Sequence, residues 1–381
     1  MKIYHYTNDL SNKTETFIRS MLNELSMSDG VSLYCDQRGK IDVSVPKTYS
    51  FKVNEIKRQY FSFPRFYALL YKLGLARTVK APIKFNSLEL KLADVITVDF
   101  LTNVGSIIHR KEICHKPIFV FVHGYDLSKA LRNVRYYKEV CGFVEFTNLS
   151  IIVPCDYFKN KLVVEFGFDV RKVFVLPYGV VKEKIHVKNY TSNRFRLLFV
   201  GRLVPKKQPL ALIHMMNILV NFKKKDVQLD MVGEGPMFES VKSKIIEFKL
   251  ESNITLHGSL SHECVLSIMN EANLYVQHSV TDFLGDQEGL PNSILEALSK
   301  GIPVLSTLHS GIPDIIKQGL NGILVQEFDY KSMAQKVSRI MENPDLYNSL
   351  VQAAVKNSEL ITHEERARMF LTIVKNQCST S

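Results

Sequence analysis

What the sequence lacks narrows it first. No stretch reaches about 18 uninterrupted apolar residues, so no membrane-spanning helix is indicated. The opening Met1-Lys2-Ile3-Tyr4-His5 has no apolar core of a secretory signal, and a cytoplasmic location is expected. The six cysteines (Cys35, Cys114, Cys141, Cys155, Cys264 and Cys378) are scattered, with no C-x-x-C pair and no histidine at ligand spacing. That argues against zinc and against a disulfide framework, and leaves packed free thiols. Low-complexity blocks and long like-charge runs are also missing, and 46% apolar against 23% charged residues excludes wholesale disorder. With 381 residues, two domains are expected, each able to bury its own core.

Acidic residues are short in one half only. The chain carries 49 Lys and Arg against 38 Asp and Glu, a net charge of +11. Residues 1–190 hold 29 basic and 18 acidic side chains, whereas residues 191–381 hold 20 of each. The whole excess therefore belongs to the first half.

Short apolar runs recur: Val95–Val98, Ile118–Val122, Leu149–Val153, Val173–Leu176, Leu197–Val200, Leu229–Val232, Leu274–Val276 and Pro303–Ser306. Their continuous hydrophobicity describes strands covered on both faces, and the strand, turn, helix rhythm describes parallel sheets of β-α-β units. The expected class is α/β, doubly wound. A polar run near residues 178–194 reads as a linker, and Ile361–Gln377 as a last helix. Two Rossmann-like halves facing each other across a cleft fit this pattern, with ligands at the carboxyl ends of the strands.

The strongest local signal is Glu288-Gly289-Leu290-Pro291-Asn292-Ser293-Ile294-Leu295-Glu296. Gly289 and Pro291 make a turn opening a helix from Asn292, whose first amides lack intrahelical acceptors and suit an anion. Glu288 and Glu296 flank that anion site, and carboxylates are apt acceptors for vicinal sugar hydroxyls. The pattern suits a polyol joined to a phosphate; a capped surface helix with incidental acids is the other reading of the same spacing.

After the run Leu197–Val200 comes Gly201-Arg202-Leu203-Val204-Pro205-Lys206-Lys207-Gln208, a glycine turn with cations at the end of a strand. Arg202 can grip phosphate oxygens bidentately and Lys207 can act as a point charge, which suits a diphosphate leaving group. Alone, such a loop is also an ordinary solvated turn. Met231-Val232-Gly233-Glu234-Gly235-Pro236 adds a tight turn at which the backbone can approach a nucleotide.

In the order GRLVPKK, VGEGP, ITLHGSLSHECV and GDQEGLPNSILEALSKGIPVLSTLHSGIPDII, the second half resembles the donor-binding half of the family-4 retaining glycosyltransferases of the GT-B fold. Ser11–Ile18 (SNKTETFI) and Phe121-Val122-His123-Gly124-Tyr125-Asp126 are similar to segments of members that build bacterial exopolysaccharide, capsule and O-antigen. The resemblance implies that Arg202 and Lys207 bind the donor diphosphate, with Gly201 and Gly233 at the donor. Glu288 would contact the transferred sugar, Glu296 the ribose, and the backbone of Gly289, Leu290, Pro291 and Asn292 the phosphates and sugar. His123 falls beside the reacting sugar. One departure is Gln208-Pro209, where the family usually has glycine after the loop lysine.

The domains this implies are an acceptor-binding domain over 1–185, a nucleotide-sugar domain over 186–360, and a helix over 361–381 packing back on the first. The implied function is retaining transfer of a hexose from a UDP- or GDP-linked donor to a saccharide or lipid-pyrophosphate-linked acceptor in surface-polysaccharide synthesis. No cofactor or metal is expected, because Arg202 and Lys207 can do the electrostatic work of a divalent ion. Two rivals stand beside it: a nucleic-acid- or membrane-binding protein without transferase activity, and a GT-B sugar epimerase.

Residues 52–84 concentrate the basic excess, with Lys57, Arg58, Arg65 and Lys72 interleaved with aromatics. An amphipathic helix there would meet anionic headgroups, giving a peripheral membrane and lipid-acceptor surface; a solvated face over a core helix is the plainer reading. No nucleic-acid motif accompanies it.

Overall fold

The computed structural model describes residues 1–7, 16–37, 87–182, 194–356 and 360–379. The chain divides into two compact units, Met1–Phe121 with Phe146–Ser150, and Val122–Glu145 with Ile151–Ser381. Lys57, Arg58, Arg65 and Lys72 lie outside the described residues, as does most of the linker after residue 182.

Two six-stranded parallel sheets carry the fold. The first comprises β1 (Lys2–Thr7), β2 (Ser32–Gln37), β3 (Val95–Asp99), β4 (Ile118–Phe121), β5 (Leu149–Val153) and β6 (Val173–Val175), in the order β2-β1-β3-β4-β5-β6. Every residue of β3, β4 and β5 is buried, as continuous apolar runs covered on both faces must be. Strand β1 was invisible to that criterion because it carries His5. The imidazole is buried since both ring nitrogens find partners on β3, Thr97 Oγ1 and Asp99 Oδ2, each at 2.8 Å.

The second sheet comprises β7 (Phe195–Val200), β8 (Val227–Val232), β9 (Ile254–Gly258), β10 (Leu274–Val276), β11 (Val304–Thr307) and β12 (Gly322–Val325), in the order β12-β11-β10-β7-β8-β9. The chain enters at the centre on β7, steps outward through β8 and β9, then returns to place β10 on the other side of β7. Strand order therefore reverses between β7 and β10, and the loops leaving those two strands are where a doubly wound sheet binds its ligand. Leu197, Phe199, Leu229 and Met231 pack with Leu212 and Met216 of the helix Pro209–Asn217 and with Val337 and Ile340 of Tyr330–Glu342. Each such side chain stabilises the fold by about 1.5–3 kcal/mol, so the strand ends form a rigid mount for the loops.

The helix expected over Ile361–Gln377 spans His363–Ser379. It lies against residues 172–180: the Arg366 guanidinium sits 5.2 Å from the Tyr178 ring centre, Lys172 Nζ donates to Gln377 Oε1 at 3.0 Å, and Val180 N–H donates to the Ile361 carbonyl at 2.9 Å. No helix among the described residues is long and apolar enough to cross a membrane.

Candidate active site

The loop after β7 is shaped by three glycines. Gly201 leaves the strand beneath the Lys207 side chain, whose Cδ would stand 3.0 Å from any Cβ placed there. Gly233, at φ 135°, faces the Gly201 carbonyl so closely that a Cβ would collide with it, and a Cβ on Gly235 would stand 2.5 Å from the Leu203 carbonyl oxygen. The turn after β8 is thus the floor on which the lysine loop rests. Residues Pro205–Lys207 form one 3₁₀ turn, and Gln208 follows at φ 40°, ψ 53°. That is the left-handed conformation glycine adopts most readily, so Gln208 holds a strained backbone at the position where the resemblance leads one to expect glycine.

Lys206 and Lys207 both point at the loop after β10. Lys206 Nζ donates to Asp286 Oδ1 and to the Gln287 carbonyl, each at 3.1 Å, and lies 3.9 Å from Glu288 Oε1. Lys207 Nζ lies 3.4 Å from the same Glu288 oxygen. Glu288 is only 8% exposed, yet it is ionised: burial opposes its charge, but Lys207 and Lys206 hold its pKa down to about 2. The Lys207 pKa is also lowered, below the ordinary lysine range, because its desolvation outweighs the attraction of Glu288. Glu288 Oε1 faces both ammonium groups at ion-pair distance without a well-aligned hydrogen bond.

The arrangement brings together Gly201, Lys207, Gly233, Glu288 and Gly289. It also brings His123 and Gly124 to them. Gly124, at φ 108°, allows the two backbones to meet: a Cβ on Gly124 would stand 3.1 Å from the Gly289 nitrogen, and one on Gly289 would stand 3.6 Å from the His123 carbonyl oxygen. The His123 ring stacks on Tyr178 with centres 6.1 Å apart, and its Nδ1 lies 3.1 Å from the Tyr178 hydroxyl. Arg202 is exposed, and its charge is near enough to Lys207 to add to the lowering of the lysine's pKa.

The helix Asn292–Ser299 begins as expected. Pro291 is its N-cap residue and offers no side-chain cap, and Leu290 is buried behind it. Glu296 is half-buried, and burial raises its pKa. Ser293 Oγ is engaged by the buried Tyr275 hydroxyl at 2.7 Å, which also meets Gln277 Oε1 at 2.9 Å. Burial pushes the Tyr275 phenol well up, so it remains a neutral hydrogen-bonding group.

Several contributors carried no local signal. Lys206, to which the sequence assigned no role, clamps Asp286 and the Gln287 carbonyl. Gln287 Nε2 lies 3.1 Å from the Tyr157 hydroxyl and 3.0 Å from Thr281 Oγ1, tying the loop to the helix Asp156–Phe166. His309, 1% exposed, takes the Glu288 N–H on its Nε2 at 3.1 Å while its Nδ1 lies 2.6 Å from Glu327 Oε1. These partners lie 18 to 21 positions apart in the chain, beyond the reach of any spacing rule. Among the described residues, no group of three or more His, Cys, Asp or Glu could hold a metal ion.

Residues 181–357 match the family model described as glycosyl transferases group 1, and the two Rossmann-like parallel sheets are the fold of the solved glycosyltransferases with which the chain aligns. It is 28% identical over 229 residues to the amylovoran biosynthesis glycosyltransferase AmsK of Erwinia amylovora, covering 60% of this chain and 55% of the relative. To the putative colanic acid biosynthesis glycosyltransferase WcaL of Escherichia coli it is 38% identical over 226 residues, covering 58% and 54%. The matches thus span about half the length of these curated relatives. Among solved structures, the lipopolysaccharide outer core galactosyltransferase WaaB aligns with a TM-score of 0.69 at 18% identity, over 99% of this chain and all of that one. Anabaena Alr3699/HepE in complex with UDP and glucose aligns at 0.73 and 15% identity, over 99% and 100%. At these identities the structural likeness is one of fold.

Proposed function

We propose that this protein is a retaining hexosyltransferase that moves a sugar from a UDP- or GDP-linked donor to a saccharide or lipid-linked saccharide in surface-polysaccharide assembly. The observation that carries the reading is the buried, ionised Glu288, with an oxygen lacking a well-aligned hydrogen bond, 3.4 Å from Lys207 at the reversal point of the second sheet. A carboxylate so placed suits a sugar hydroxyl, and the adjacent ammonium suits the departing phosphate. The relatives named for amylovoran, colanic acid and capsular polysaccharide synthesis support the substrate class.

In this mechanism Lys207 and Arg202 hold the diphosphate, Glu288 and the backbone of Gly289–Asn292 hold the hexose, and Glu296 the ribose. The bond from the anomeric carbon to the phosphate oxygen breaks as the acceptor oxygen bonds to the same face. The acceptor's proton passes to the leaving phosphate oxygen, and the two lysine-loop cations stabilise the departing charge without a metal. His123, held by Tyr178, orients the reacting ring. In this reading the basic segment containing Lys57, Arg58, Arg65 and Lys72 serves the anionic acceptor or a membrane surface, and the protein works peripherally on the inner face of the cytoplasmic membrane.

The test is turnover of a nucleotide-sugar panel, with and without EDTA. One donor should be consumed with product of retained anomeric configuration, and Glu288→Ala should lower kcat/KM about 100- to 1,000-fold, the loss typical of one transition-state contact. Inverted product, a covalent sugar on Glu288, or abolition by EDTA would overturn the mechanism. Salt-dependent DNA or RNA binding with no sugar consumption would favour a nucleic-acid protein instead, and acceptor-independent release of free sugar an epimerase.

A further inference from the structure

Glu288 is held by its backbone as well as by the lysines, and the group that holds it belongs to two other loops. His309 follows β11, Glu327 follows β12, and both are brought into place by non-glycine residues in the left-handed region immediately after them, Ser310 at φ 47° and Phe328 at φ 65°. Glu327 uses both oxygens: Oε2 accepts the Thr281 N–H at 2.9 Å and Oε1 meets His309 Nδ1 at 2.6 Å. On the other side of the ring, the Glu288 N–H can only donate, so His309 Nε2 must be the acceptor of that 3.1 Å bond. The ring proton then sits on Nδ1, donated to Glu327, and the imidazole is neutral.

The geometry points to His309 and Glu327 as positioning residues for sugar transfer, a role that rests on the reading of Glu288 as the sugar-binding carboxylate. Glu327 fixes the ring proton on Nδ1, the Nε2 lone pair thereby exposed fixes the Glu288 amide, and that anchor holds the carboxylate at Lys207. The pair acts on the loop and touches no substrate. In the transition state a carboxylate displaced by even a fraction of an ångström loses its hydroxyl contact, whereas nucleotide binding through the lysine loop is preserved.

Three variants separate positioning from packing. His309→Phe fills the space but removes the acceptor; His309→Gln restores an acceptor oxygen; Glu327→Gln is nearly isosteric but can donate to Nδ1, driving the ring proton to Nε2, where it opposes the Glu288 N–H. Expected results are a kcat about 100-fold lower for His309→Phe and Glu327→Gln, donor KM within about threefold, and most of the loss recovered in His309→Gln. The second readout needs no turnover: ¹⁵N-histidine spectra of the full chain should contain an Nδ1–H ring that vanishes in His309→Phe and becomes an Nε2–H ring in Glu327→Gln. A His309 signal, assigned by its loss in His309→Phe, that carries its proton on Nε2 in the parent protein overturns the inference whatever the activity. Equal losses in all three variants, with KM and melting temperature moving together, overturn it in favour of packing. An Nδ1–H ring in a chain that consumes no nucleotide sugar upholds the tautomer and overturns the transfer reading alone.

Discussion

Glu288 and Lys207 are a buried ion pair whose partners are pushed in different directions by the same burial. The glutamate stays charged because two ammonium groups outweigh the loss of water, and the lysine is less basic than usual because its own desolvation exceeds the attraction. The consequence for stability has a definite sign. Glu288 titrates near 4.5 when unfolded and about 2 when folded, so the pair stabilises the fold fully above pH ~4.5 and loses that contribution as pH falls toward ~2. Urea melts of Glu288→Gln should lack the part of the acid-side decline that the parent shows across this window; identical slopes would mean that the lysines do not hold the charge. The acidic residue and the basic loop were both legible in the sequence. Their pairing, and the oxygen left without a well-aligned hydrogen bond, were not, because 81 positions separate Lys207 from Glu288 and only the adjacency of β7 and β10 closes that distance.

At the scale of elements, the site is a set of turns stacked on one another at the ends of β7, β8 and β10. Gly233 is the key to that stack, since it meets the Gly201 carbonyl with no room for a side chain and at a positive φ. Gly233→Ala should therefore displace the lysine loop, weakening nucleotide-sugar binding at least tenfold in a thermal-shift or calorimetric titration while far-UV circular dichroism stays unchanged. Unaltered affinity would show that the turn after β8 does not support the loop. Strand prediction from continuous apolar runs succeeded where both faces are covered by aliphatic side chains, as in β3 to β5 and β7. It failed at β1, where a histidine interrupts the run, because burial of that residue depends on Thr97 and Asp99 of a strand more than 90 positions away. Where glycine is expected after Lys207 stands Gln208, itself in the left-handed region, so the conformation at that position is dictated by the loop's neighbours and not by the residue's own preference.

Across the whole molecule, charge is uneven: residues 191–381 are neutral and the net +11 resides in residues 1–190, the half proposed to meet the acceptor. Replacing Lys57, Arg58, Arg65 and Lys72 with glutamine should reduce sedimentation with anionic vesicles several-fold, with a loss that steepens with salt, and leave nucleotide-sugar affinity within about twofold. An equal fall in donor affinity would refute this separation of functions. Local order in the sequence was enough to determine two parallel α/β sheets, the cation loop, the glutamate-bearing turn and the uneven charge, because strand burial, turn chemistry and helix starts are properties of a few consecutive residues. Tertiary structure alone decided that β10 returns beside β7, that Lys206 clamps the loop while Lys207 faces Glu288, that Gly124 lets His123 approach Gly289, and that His309 and Glu327 hold the Glu288 backbone. Each is a contact between segments far apart in the chain, and such contacts depend on which strands lie side by side, which no local pattern encodes.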